Sequence, residues 1–169
     1  MSINLFFVLV LSLLIGMFGY FKPTLLMDET KKEVPKFELE SFVVYEISAV
    51  GIDRFFEGSH GKRFEDRYEV SSAKFSNNSK DLFESISANE ALYKDDIISL
   101  EGDVHYVRED GLQFRSDEGK YDTVHSLVST RGSFVITQNS NRVNGTQLQL
   151  NTKSHTVSAN AVSGSYQLD

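Results

Sequence analysis

From Phe37 onward, apolar and polar residues alternate with a period of two. Phe37, Leu39, Val43, Tyr45 and Ile47 fall on one side, with Glu38, Glu40 and Glu46 on the other. The sharpest instance comes later: Ile98, Leu100, Val104 and Tyr106 face one way with Gly102 in their row, while Ser99, Glu101, Asp103 and His105 face the other. Such alternation marks a β-strand with one face buried and one in water. No amphipathic segment of helical length competes within residues 37–169, so the pattern predicts an all-β domain. Turn chemistry agrees. Glu109-Asp110-Gly111 leads into Leu112 and Phe114, and Val143-Asn144-Gly145 leads into Leu148 and Leu150. Asp-Gly and Asn-Gly tolerate the positive φ of tight hairpin turns, so both are expected to join strands.

The pieces recur. Leu100-Glu101-Gly102-Asp103-Val104, Thr130-Arg131-Gly132-Ser133-Phe134 and Val162-Ser163-Gly164-Ser165-Tyr166 mark a unit of strand, hairpin turn, strand, polar turn and strand that ends at the next glycine. A stack of such hairpins with one apolar face must close over that face as a sandwich, a jelly roll or a barrel. The candidates for the interior are Leu100, Val104, Tyr106, Leu112, Phe114, Phe134, Ile136, Leu148 and Leu150. They are either a filled core or the lining of an apolar groove, and sequence alone leaves both open. Gly102, Gly132 and Gly145 are expected to be structural, because a strand glycine often marks a bend or a close approach.

The chain begins differently. Residues 3–21 carry no charge and are dominated by Leu, Phe, Val and Ile. At 1.5 Å per residue, such a helix spans about 28 Å, close to the hydrocarbon thickness of a bilayer. The run lacks a basic start and a small-x-small cleavage site, so it reads as a retained transmembrane anchor rather than a signal peptide. Tyr20, Phe21 and Lys22 suit the water interface, and residues 22–36 read as a polar tether ending near Pro35. No lysine or arginine precedes the helix, and Lys22, Lys31 and Lys32 follow it among Asp28, Glu29 and Glu33. Charge alone therefore does not place the domain outside and leans mildly towards a cytoplasmic C-terminal side.

Composition removes whole classes of function. There is no cysteine, so thiolate catalysis, disulfides and Cys-based metal sites are excluded. A net charge of −7 without a basic stripe argues against nucleic-acid binding. The four histidines, His60, His105, His125 and His155, form no ligand pair at i, i+2 or i, i+4, and His105 sits on the polar side of its strand, so no metal site is expected. No phosphate loop, nucleophile elbow or His-Glu-x-x-His motif is present. The carboxylate pairs Asp95-Asp96 and Glu109-Asp110 lie in turn contexts. Neither a catalytic set nor a cofactor is expected.

The hydrophobic N-terminal segment, the cysteine-free β domain and the run Ala88-Asn89-Glu90-Ala91-Leu92-Tyr93 through Ile98-Ser99-Leu100-Glu101-Gly102-Asp103-Val104 together resemble the LptC family of bacterial lipopolysaccharide export. Gly111 to Ser116, Tyr121-Asp122, Thr130 to Phe134 and Asn144 to Leu148 are similar to that family's hairpins, in the same order. The basic residues that often precede the anchor in that family are missing here. The resemblance implies a twisted, open β-jelly roll over residues 37–169. It would lie on the periplasmic side of the inner membrane, beside an LptB2FG-type ABC transporter. It implies a passive conduit that takes lipopolysaccharide acyl chains through an apolar groove and passes them to a soluble LptA-type protein, with the rolls joined edge to edge. The expected docking edge is C-terminal, around Thr156, Val157, Ala159, Ala161 and Tyr166. The rival reading is a membrane-tethered scaffold of the cell envelope with no lipid cargo.

Overall fold

A computed structural model of the chain describes residues 33–49, 51–79 and 81–167; the expected anchor and nearly all of the expected tether lie outside the described residues. Among the described residues, no helix is long and apolar enough to cross a membrane. The chain forms ten strands: β1 (Phe37–Ser48), β2 (Gly51–Arg63), β3 (Arg67–Asn77), β4 (Glu84–Lys94), β5 (Ile97–Arg108), β6 (Leu112–Asp122), β7 (Leu127–Ser129), β8 (Ser133–Gln138), β9 (Asn141–Asn151) and β10 (Thr156–Ser165). They make one antiparallel sheet in which hairpin follows hairpin. β7 and β8 share one place, each pairing β6 on one side and β9 on the other. The sheet is open, with β1 and β10 as its edges. It is a twisted open β-jelly roll.

Register places the inward side chains in rows that cross the sheet. One row runs Val44, Phe56, Phe75, Ile86, Tyr106, Phe114, Ile136 and Val143, each paired with the next. Two residues along each strand lies a second row, with Phe42, Gly58, Ala73, Ala88, Val104, Ser116, Phe134 and Gly145. Near the far ends of the strands another row runs Phe37, Arg63, Tyr68, Tyr93, Ile98, Tyr121, Val128, Leu150 and Val157, again paired in succession. Beside it lie Leu39, Gly61, Val70, Ala91, Leu100 and Gly119, followed by Thr130 and Leu148, joined by a backbone hydrogen bond.

These two sets do not follow strict alternation. From Phe42 to Leu39, Gly58 to Gly61, Ala73 to Val70, Ala88 to Ala91, Ser116 to Gly119 and Gly145 to Leu148, the step is three residues rather than two. Both sets nevertheless face the same side. Val70 and Ala73 are both buried, as are Gly145 and Leu148. A Cβ added at Gly58 or at Gly61 would strike the same Phe42 ring, at 3.0 and 2.7 Å. The phase slip falls on one line across the sheet, and the backbone pays for it there. Ser41, Ser72, Asp103, Gln147 and Ala161 take positive φ within strands, as does Gly102. The register shifts of β5 against both neighbours, and of β10 against β9, fall on the same line. Residues in the left-handed region interrupt the pleat and let a strand bend, so the sheet creases along this line over its apolar face. Where β7 breaks from β8 at the crease, the Glu118 carboxylate accepts the Arg131 and Gly132 amides at 2.7 and 3.2 Å.

The crease corrects several expectations. Phe37 and Leu39 face inward, but the left-handed Ser41 reverses the phase, so Phe42 and Val44 continue the inner face while Val43, Tyr45 and Ile47 point outward. Leu100 and Val104 share a face because Gly102 and Asp103 are both left-handed, not because alternation persists. Asn144-Gly145 is not a turn: it lies within β9, and the β8–β9 hairpin turns at Asn139 and Ser140. The glycine at 145 is needed for space, since a Cβ there would sit 2.7 Å from the Phe134 ring. Gly102 meets both requirements, with φ of 73° and Asn89 2.6 Å from the would-be Cβ. Gly132 meets neither, because nothing lies within 4 Å of its Cβ position; the close approach expected there is absent. The third repeat also slips: Gly102 and Gly132 lie on the crease, whereas Gly164 pairs with Val143 well away from it.

Accordingly, Gly145→Val should destabilise the protein by about 1–3 kcal/mol through overpacking against Phe134, while Gly132→Ala should stay within about 0.5 kcal/mol of the parent. Chemical denaturation of the two variants checks this, and equal losses would refute the assignment.

Candidate functional site: an apolar trough with unlike lips

Burial is concentrated at the crease and falls away from it. Val104 and Phe134 are 1% and 2% exposed, and Val70, Ala73, Ala88 and Leu148 are also buried. Small side chains dominate the rows beside the bend, with Gly58, Ala73, Ala88, Ser116 and Gly145 on one flank and Gly61, Ala91 and Gly119 on the other. Bulky apolar groups lie further out and stay accessible: Val44, Phe37 and Val157 are 54%, 56% and 64% exposed, and Phe75, Tyr68 and Tyr93 are exposed as well. The result is a trough whose floor is packed and whose walls are open.

All nine interior candidates lie on its inner face, but they divide into two kinds. Val104, Phe134 and Leu148 are floor, sealed by their neighbours. Leu100, Tyr106, Leu112, Phe114, Ile136 and Leu150 are half-buried wall. The Phe114 and Phe134 rings stack with centroids 6.2 Å apart, joining wall to floor. A cleft of about 510 Å³ follows the crease of β1 to β5, and the outward Val43, Glu57, Lys74 and Ser87 line it together with Phe42, Gly58, Ala73 and Ala88, so it is not a cavity of the inner face alone.

Sequence reasoning missed the N-terminal wall, made by Val44, Phe56, Phe75 and Ile86. The signal was there, since Val44 and Phe56 are apolar, but the phase change at Ser41 hid which of the neighbours Val43 and Val44 faces inward.

The two lips of the trough differ. Beyond the row that contains Tyr106, register aligns Glu46, Arg54, Asn77, Glu84 and Arg108, one per strand. Arg54 Nη1 lies 3.1 Å from Glu46 Oε2. Asn77 Nδ2 donates to Glu84 Oε1 at 3.0 Å, and the Tyr106 hydroxyl donates to Glu84 Oε2 at 2.9 Å. Arg108 grips Asp110 through Nε and Nη2, at 2.9 and 2.7 Å, and Gln138 Nε2 reaches the same carboxylate at 3.2 Å. Burial first, and then the Glu84 carboxylate, push the Tyr106 phenol up to about 12. The Arg108 guanidinium beside Asp110 holds that carboxyl below the usual range. The opposite lip is the row from Phe37 to Val157, largely aromatic and aliphatic. Its Arg63 lies over the Tyr68 ring, 5.4 Å from the centroid.

Among the described residues, no group of His, Asp and Glu could hold a metal ion. His105 lies on the outer face, 3.3 Å from Gln113. Asp95-Asp96 and Glu109-Asp110 occupy turns, as their sequence contexts predicted. Lys62 and Arg67 are engaged with Glu38 and Glu69, at 3.5 and 2.6 Å. The edge candidates Thr156, Val157, Ala159 and Ala161 lie on the free edge strand β10, and Tyr166 follows directly.

An open single-sheet β-jelly roll with an apolar trough and two free edges is the class these features define. The chain belongs to the family described as "Lipopolysaccharide-assembly, LptC-related", which it matches over residues 7–167. No curated protein matches the chain. The family is one of transport components, and membership gives the chain a part in lipopolysaccharide transport.

The raised phenol makes a testable point. Tyr106 is harder to ionise folded than unfolded, so its contribution to stability is whole below pH 10 and is lost as pH rises towards about 12. Ultraviolet titration of the full chain should show a late tyrosine step that Tyr106→Phe removes, and that variant should lose less stability between those two values than the parent does.

Proposed function

We propose that this chain is a passive conduit for lipopolysaccharide, held at the inner membrane with its β domain in the periplasm. It receives lipopolysaccharide from an LptB2FG-type ABC transporter and passes it to an LptA-type protein. The observation that carries this reading is the gradient of exposure across the apolar rows: the floor is sealed and the walls are left accessible over the width of the sheet. An acyl chain of about ten methylenes left in water costs about 8 kcal/mol, so a transfer path must cover it continuously. The walls Phe56, Ile86, Phe114, Ile136 and Leu150 offer such cover, strand after strand. The edges support the same reading. β10 presents unpaired backbone groups flanked by Val157 and Tyr166, and a partner strand docked there would extend both the sheet and its apolar rows.

Photo-crosslinking in cells tests this against the scaffold alternative. A benzophenone side chain at Phe114, Ile136 or Leu150 should capture lipopolysaccharide. The same group at the outward positions Arg115, Val135 or Gln149 should capture at least roughly tenfold less, the ratio that about 1.4 kcal/mol of differential burial gives. Failure at all three inward positions in a folded protein would leave a scaffold without lipid cargo.

A further inference from the structure

The unlike lips assign an orientation to the cargo. Resting on the conduit reading, we propose that the polar lip receives the sugar part of the amphiphile rather than its phosphates, while the acyl chains lie over the crease towards the aromatic lip. The polar lip is continuous over β1 to β5, where Glu46, Arg54, Asn77, Glu84 and Arg108 are adjacent by register, and Leu112 interrupts the row on β6. Gln138 extends it through Asp110, and Asn141 pairs with Gln138. It alternates acceptors, donors and amides at the edge of an apolar wall, which matches a ring of hydroxyls that both donate and accept.

Charge decides between sugar and phosphate. Arg54 and Arg108 are the lip's cations, and each is already engaged by a carboxylate, Arg108 in a two-pronged grip. Against these two guanidinium groups stand the carboxylates of Glu46, Glu84 and Asp110, so the lip presents no surplus positive charge. A phosphate needs unspent donors of positive charge, and here it would meet acid. Neutral hydroxyls meet no such penalty. The opposite lip lacks this pattern: Tyr93, Ile98, Tyr121 and Val128 present rings and aliphatic groups to the trough, which suit chains.

The test uses the full chain in lipid nanodiscs and two photo-probes with the same dodecyl tail, each carrying a diazirine on its head. One is a maltoside and the other a phosphate. Labelled residues are mapped by tandem mass spectrometry. The maltoside should label Glu84, Gln138 and Asn141 and spare Tyr93, Tyr121 and Val128, and the phosphate should label the polar lip about tenfold less, as loss of a charge-matched hydrogen bond implies. Asp110→Asn, which keeps the side-chain shape and frees Arg108, should raise phosphate labelling of this lip; Arg63→Ala should leave it unchanged. Equal labelling of both lips by the maltoside, or phosphate labelling of the polar lip that already matches the maltoside in the parent or fails to rise in Asp110→Asn, overturns the assignment while the trough stands. Labelling of no inward residue by either probe overturns the conduit reading and this inference with it.

Discussion

A regular strand shows alternate side chains to opposite faces, so a sheet of regular strands has one apolar face and no means of folding over it. Here the phase of that alternation slips on one line in every long strand. A slip in one strand alone would break its pairing with its neighbours, so the strands must slip together or not at all. Left-handed backbone at Ser41, Ser72, Asp103, Gln147 and Ala161 carries part of the cost, on the order of 1 kcal/mol or more for each non-glycine residue. The small residues beside the line carry the rest, because a bend that brings rows together needs room. Phe42 over Gly58 and Gly61, and Phe134 over Gly145, show where that room is used.

The same constraint sets how much core the fold can have. Only the rows next to the crease are packed on all sides, and Val104 and Phe134 are its best-sealed large residues. Rows further out gain less burial because the opposing wall diverges. Stability is therefore concentrated along the crease and in the ladder of hydrogen bonds, where each strand leans only on its paired neighbours. Such a protein behaves as a stack of nearest-neighbour units. Its two end strands each lack a neighbour, and its outer rows hold apolar surface that folding has not consumed. An accessible trough and free edges are two consequences of one bend.

Much of this was legible in the chain. Period-two patterning gave the all-β class, and Glu109-Asp110-Gly111 does turn the chain between β5 and β6. Each of the nine inward candidates lies on the inner face, because the C-terminal strands change phase at Gly102-Asp103, at the break around Gly132 and at Gln147, which the chosen residues straddle. The N-terminal strand misled for the complementary reason. Its slip occurs at Ser41, a residue with no turn signature, so Val43, Tyr45 and Ile47 were assigned inward when Phe42 and Val44 are. Asn144-Gly145 carried the composition of a turn, yet its glycine serves an aromatic ring on the neighbouring strand. A local code cannot distinguish a glycine needed for backbone angle from one needed for a side chain that arrives from elsewhere. Nor could it assemble the polar lip, whose members are scattered from Glu46 to Asn141 and meet only through register.

The acidic character of the chain also finds its place in this geometry. Much of the charge sits on the outer face, where Glu38 pairs across strands with Lys62 at 3.5 Å and Glu57 with Lys74 at 3.0 Å. Exposed pairs of this kind contribute little to stability, about 0–1 kcal/mol, but opposite charges at facing positions favour one register and disfavour a shifted one. Register is what this fold can least afford to lose, since a one-residue shift would carry a strand's slip off the common line and turn its apolar residues outward. Grip on an acyl chain, by contrast, needs no charge at all. A trough that holds cargo by apolar contact can stand on an acidic protein, with charge used outside to fix pairing and at one lip to meet what the apolar walls cannot.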